Sequence, residues 1–198
     1  MHQYFKIYKP FQVLSQFSPE GDKQTLSDFF KVPKDVYPVG RLDFDSEGLL
    51  LLTNNKQLNH RLLHPNFQHQ RSYLVQVDGA ITDEAIVQLK KGVEINVDGK
   101  LHQCKSLLAK ILEQNPELPA RNPPIRFRKE IPAPWIELIL TEGKNRQVRK
   151  MTAKVGFPTL RLVRKSIEGI FLDKMQPGEM IQLSEQEIRE KLFGGKSV

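Results

Sequence analysis

The chain is poor in cysteine, tryptophan and long apolar runs. Cys104 and Trp135 are the only residues of their kind, and no apolar stretch exceeds Leu49–Leu52. A lone cysteine forms no internal disulfide, which argues against the disulfide-stapled secreted classes. Four leucines fall far short of the ~20 residues that span a bilayer. The expectation is a soluble cytoplasmic protein with one core, divided into two lobes, in its 198 residues. No GxGxxG run occurs. Gly195-Lys196-Ser197 echoes the end of a phosphate-binding loop, but Glu190 stands where its first glycine belongs.

Acidic residues are scarce in one region in particular. Between Arg121 and Lys165 twelve Lys and Arg face three Glu, a surplus of nine in a chain of net charge +7, so the remainder carries −2. A solvated helix face would interleave both signs. A localised surplus is the footprint of a surface that contacts a phosphate backbone.

Periodicity and punctuation predict mixed strands and helices. Strands are expected at Tyr4–Tyr8, Leu49–Thr53, Arg71–Val77, Trp135–Leu140, Leu160–Val163 and Met180–Leu183. In Arg71–Val77 the residues Tyr73, Val75 and Val77 share one face. Helices are expected at Leu26–Phe30, Leu58–Leu63, from Thr82 to Lys91, and from Arg146 to Val155 with Asn145 as its cap. Ser184–Glu187 reads as a capping box opening a terminal helix. Leu118–Pro134, rich in proline and arginine, reads as an ordered loop. No βαβ period repeats, so the class is α+β.

The segment Val39–Gly48 concentrates the chemistry. Asp43, Asp45 and Glu47 crowd a Gly-bounded loop beside Arg41, and the loop feeds directly into the leucine run. A merely solvated acidic turn has no need to enter a buried strand. A calcium loop would require an acid at its twelfth position, where Asn54 stands. His60 and His64 have the i, i+4 spacing of a zinc pair, but Arg61 occupies the place of the metalloprotease glutamate and no third ligand suggests itself. A retaining glycosidase would use two carboxylates about 5 Å apart, one of them a proton donor. Cations around this loop favour an ionised nucleophile instead.

In combination these motifs resemble the pseudouridine synthases of the RsuA/RluB/RluE/RluF group. Gly40-Arg41-Leu42-Asp43 with Asp45-Ser46-Glu47-Gly48-Leu49-Leu50 is similar to that group's catalytic motif, and Lys9-Pro10 with Val13-Leu14 to its opening strand. Arg71–Val75 resembles its tyrosine strand, although a lysine is more usual at Arg71 or Ser72. Glu142–Met151, continued by Gly156-Phe157-Pro158, Leu160–Leu162 and Arg164, is similar to its third motif. Ala120–Arg126 looks most like the members that act on large-subunit (23S) rRNA.

The resemblance implies an α+β catalytic domain over residues 1–198, with a mixed or antiparallel sheet in two lobes flanked by helices around a central cleft. The lobes would span about 1–66 and about 67–198, with no separate N-terminal RNA-binding domain. It implies isomerisation of a uridine in rRNA without cofactor or metal: the N–C glycosidic bond breaks, the base rotates, and a C–C bond forms. Asp43 would attack the nucleotide or abstract a ribose proton. Arg149 would pair with it, and Tyr73 would stack on the uracil. Arg41, Lys144, Asn145, Arg146, Arg126, Arg161 and Arg164 would contact RNA. The expected partner is 23S rRNA, the chain is expected to act as a monomer, and no membrane is involved. The competing expectation is a non-catalytic rRNA-binding or ribosome-assembly protein, which needs the basic segment but no buried carboxylate.

Overall fold

The run Glu47-Gly-Leu-Leu-Leu-Leu-Thr53 is buried at every position, so the strand it forms is covered on both faces. Around it, the computed structural model describes residues 2–125 and 128–195. In chain order the first elements are β1 (Tyr4–Lys9), β2 (Val13–Leu14), β3 (Gln24–Thr25), β4 (Tyr37–Pro38), β5 (Glu47–Thr53) and α1 (Lys56–Leu63). Then come β6 (Arg71–Val77), α2 (Asp83–Lys91), β7 (Val93–Val97), β8 (Lys100–Cys104), β9 (Leu108–Ile111) and β10 (Trp135–Leu140). The chain continues with α3 (Gln147–Lys154), β11 (Thr159–Ile167), β12 (Ile170–Phe171), β13 (Met180–Leu183) and α4 (Glu185–Phe193). Strands and helices are mixed without a βαβ repeat, and the class is α+β.

The chain divides into two units, one of residues 1–69 with 164–198 and one of residues 70–163. The expected second lobe therefore stops at Val163. The chain from Arg164 returns to the first unit because β13 pairs antiparallel with β1, Tyr4 opposite Leu183 and Ile7 opposite Met180.

In the first unit the strand order is β13-β1-β5-β11, with β4 also paired to β5 and β12 to β11. β1 and β5 run antiparallel, Tyr8 opposite Leu49 and Lys9 opposite Gly48. β2 and β3 form a separate parallel pair. α1 starts two residues earlier than its apolar pattern suggests, because the Asn55 side chain caps it by accepting from Leu58 N at 3.0 Å. It ends at Leu63, since Pro65 forces His64 into extended backbone. The expected helix at Leu26 is a single 3-10 turn, Leu26–Asp28. The Ser184 capping box opens α4 as expected.

In the second unit the order is β11-β6-β10-β9, with β6 and β9 both antiparallel to β10. Burial on β6 does not alternate: Arg71 to Val75 are all buried, so the face shared by Tyr73, Val75 and Val77 and the opposite face are both covered. Thr82 caps α2 and Gly92, at φ +118°, ends it. Asn145 does not cap α3. Arg146, in left-handed backbone at φ +53°, precedes the first helical residue, Gln147. The β7–β8 hairpin escaped the periodicity reading although its signal is present. Val93, Ile95 and Val97 are buried between exposed Glu94 and Asn96, and Asp98-Gly99 makes the turn with both residues at positive φ. Leu118–Pro134 is an ordered loop over its described residues: Arg161 Nη2 donates to Pro119 O at 2.9 Å and Arg121 Nε to Pro123 O at 2.8 Å.

Candidate active site

In the first unit, Asp43 lies half-buried on the loop between β4 and β5. The loop is tied on both sides of the carboxylate. Ser15 Oγ donates to Leu42 O at 2.7 Å and accepts from Leu42 N at 3.0 Å. Gln12 N donates to Phe44 O at 2.9 Å, and Ser46 N closes a turn on Asp43 O at 3.0 Å. Gly40 begins the loop at φ +70°, a conformation that glycine adopts without strain. These bonds fix the backbone on both sides of Asp43.

Lys9 ends β1 close to this loop and is wholly buried, its Nζ donating to Pro10 O at 2.8 Å and Val13 O at 2.6 Å. Burial pulls its pKa down to about 7, and Arg164 adds to the fall, against the opposing charges of Glu47, Asp43 and Asp45. Glu47 is itself buried, with Tyr8 Oη 3.5 Å from its Oε1. No sequence pattern marks Gln12 or Ser15 as part of a site, since a serine or glutamine carries no signal of a long-range bond to residues 42–44, and Lys9-Pro10 enters only through the family resemblance.

In the second unit, Arg149 extends from α3, its Nη1 3.5 Å from Thr159 O. Tyr73 sits on β6 opposite Leu138 and is buried, 7 % exposed. A polar cluster braces the start of α3. Gln147 Nε2 donates to Glu142 Oε1 at 2.7 Å, its Oε1 accepts from Lys144 N at 2.9 Å, and Lys144 pairs with Glu142. Burial works to raise the Glu142 pKa, but hydrogen bonds from Lys144, the Cys104 thiol and Gln147 outweigh it and hold the carboxyl below its ordinary range. Burial and that bond to Glu142 push the Cys104 thiol up to about 11, which keeps it protonated and poorly nucleophilic.

The expected RNA contacts separate by exposure. Arg41, Asn145 and Arg146 are exposed and Lys144 is half-buried. Arg161 and Arg164 are buried and donate to backbone oxygens, Arg161 to Pro119 and Arg164 Nε to Leu49 O at 2.7 Å, so in this form they brace the fold. Arg126 lies outside the described residues. The His60 and His64 rings lie 5.2 Å apart, and among the described residues no three His, Cys, Asp or Glu side chains are grouped to hold a metal ion. Among them, too, no helix is long and apolar enough to cross a membrane.

A solved structure described as a pseudouridylate synthase matches 97 % of this chain and 74 % of its own, with a TM-score of 0.76 and 28 % identity. The profile of the RNA pseudouridylate synthase family matches residues 3–154. The chain belongs to that family and is an isomerase of RNA uridine. Among curated relatives, the ribosomal large subunit pseudouridine synthase E of Vibrio vulnificus is 48 % identical over 177 residues, covering 89 % of this chain and 73 % of the relative. The protein of the same name from Xanthomonas axonopodis pv. citri is 49 % identical over 173 residues, covering 86 % of this chain and 88 % of the relative.

Proposed function

We propose that this enzyme converts a uridine of 23S rRNA to pseudouridine, acting as a cytoplasmic monomer with Asp43 as its essential carboxylate. The observation that carries the role of Asp43 is the double fastening of its loop, at Leu42 by Ser15 and at Phe44 by Gln12. Support for the substrate comes from the two relatives named for the large ribosomal subunit and from the surplus of cations in residues 121–165.

In this reading Arg149 serves the same reaction as Asp43, and Tyr73 stacks on the uracil. Arg41, Lys144, Asn145 and Arg146 meet the RNA. Extruding a base from a helix costs a few kcal/mol. One aromatic stack returns roughly 1–3 kcal/mol, and phosphate contacts supply the rest. Because the backbone on either side of Asp43 is already fastened, less binding energy goes to ordering this loop.

Tritium release from an unmodified 23S rRNA transcript carrying 5-tritiated uridine tests the reading. Asp43→Asn is expected to abolish release while leaving RNA affinity within about twofold. Release at the unaltered rate would remove Asp43 from the chemistry. A wild-type chain that binds the transcript but releases nothing would instead favour the non-catalytic assembly protein.

A further inference from the structure

We propose that the outer face of α1 is a second RNA contact, seating an unpaired base that neighbours the target uridine in the same strand. The proposal rests on the reading above, that the Asp43 loop acts on RNA.

A groove of about 470 Å³ runs along α1, lined by Lys56, Asn59, His60, Leu63, His64 and Pro65. No carboxylate is among these six. The two imidazoles are tilted at 42°, and His64 in turn meets the exposed ring of Phe67 edge-on at 5.9 Å. Leu63 is 45 % exposed and Phe67 49 %, the Phe67 ring also stacking on His69 at 6.2 Å with the Arg61 guanidinium 5.8 Å from its centre. Imidazole and aromatic faces beside a cation are a surface on which splayed-out RNA bases stack, and the ammonium of Lys56 suits a phosphate.

The groove adjoins the candidate catalytic loop. A Cβ at Gly40 would lie 2.9 Å from Leu63 Cδ2, so the root of the loop rests on the groove wall. Asp43 is three residues further on, which places it at most about 11 Å away along the chain. That is roughly three base rises of a nucleic-acid strand. A base a few nucleotides from a uridine at Asp43 can therefore reach α1. The lining's one lysine without a carboxylate, together with this adjacency, favours RNA over a protein partner.

The test uses the full chain and an unmodified 23S rRNA transcript, 4-thiouridine-substituted for photo-cross-linking and 5-tritiated for kinetics. Cross-links are expected within residues 56–67. His60→Ala and the solvent-exposed Lys56→Gln are each expected to raise KM by about three- to tenfold with kcat unchanged, since they remove binding common to ground and transition states. An unchanged KM in both variants, or no cross-link in 56–67 while the wild type still releases tritium, overturns the groove and leaves the role of Asp43 standing. A fall in kcat at constant KM overturns it too, by assigning α1 to loop support. Self-association abolished by Leu63→Glu, without a cross-link, overturns it in favour of a second copy. If the wild type releases no tritium, the reading above falls and the groove with it.

Discussion

The single hydroxyl of Ser15 satisfies both backbone polar groups of Leu42, donating to its carbonyl at 2.7 Å and accepting from its N–H at 3.0 Å. Leu42 and Ser15 are both buried, so neither group of Leu42 has water as a ready substitute. The residue immediately before Asp43 is thereby fixed from a point 27 positions earlier in the chain.

Ser15→Ala leaves a buried donor and acceptor unmatched, which costs about 1–3 kcal/mol each at the upper bound. The expected outcome is a urea midpoint lowered accordingly and a tritium-release kcat reduced about tenfold, with KM little changed. Ser15→Thr, which keeps the hydroxyl, is expected to recover part of both. Equal kcat in Ser15→Ala and wild type would show that the clamp does not position Asp43.

Gly40→Ala forces an L side chain to φ +70° and drives its Cβ to 2.9 Å from Leu63 Cδ2. Left-handed backbone alone costs a non-glycine residue of order 1–3 kcal/mol. The thermal midpoint is expected to fall by several degrees and activity to fall with it. A variant as stable as the wild type would mean that the loop root relaxes freely.

Lys9 gives the fold a pH dependence on the alkaline side. Its pKa is about 7 in the folded chain against an ordinary value of 10.5, so between these two values the unfolded chain binds more protons. Stability therefore rises with pH across that window and is lowest below it. Measured against Lys9→Met, the wild-type unfolding free energy is expected to climb by a few kcal/mol from pH 7 to pH 10. Parallel curves for the two proteins would show that the Lys9 ammonium is not displaced by burial.

Gln147→Leu removes the donor to Glu142 and the acceptor for Lys144 N, two of the bonds that brace the turn before α3. A loss of about 1–3 kcal/mol in stability is expected. If Arg149 acts as proposed, kcat falls more than RNA affinity does. A change confined to RNA affinity would detach α3 from the chemistry.

RNA affinity is expected to fall steeply with salt, and replacing one exposed cation, Arg146 or Lys154, by Gln is expected to flatten the slope of log K against log salt by about 0.7. A wild-type slope near zero would remove the basic segment from the docking surface.

Local chemistry is legible in the chain by itself. Proline after His64, Thr82 before α2 and the Ser184 box stop and start helices through bonds spanning three or four residues, and a reader of the sequence finds them. The acidic loop beside a leucine run marked the place of Asp43, and the net charge of residues 121–165 marked a polyanion partner. Those are statements about neighbours in sequence. What the tertiary structure decided depends on pairings that no local pattern encodes: Ser15 with Leu42, Gln12 with Phe44, β13 with β1. It also decided which cations are spent inside the fold, since Arg161 and Arg164 look like surface groups in composition but are buried donors to carbonyls. Burial and long-range hydrogen bonding are properties of the packed chain, because whether a side chain meets water or a distant carbonyl is fixed only when its partners arrive.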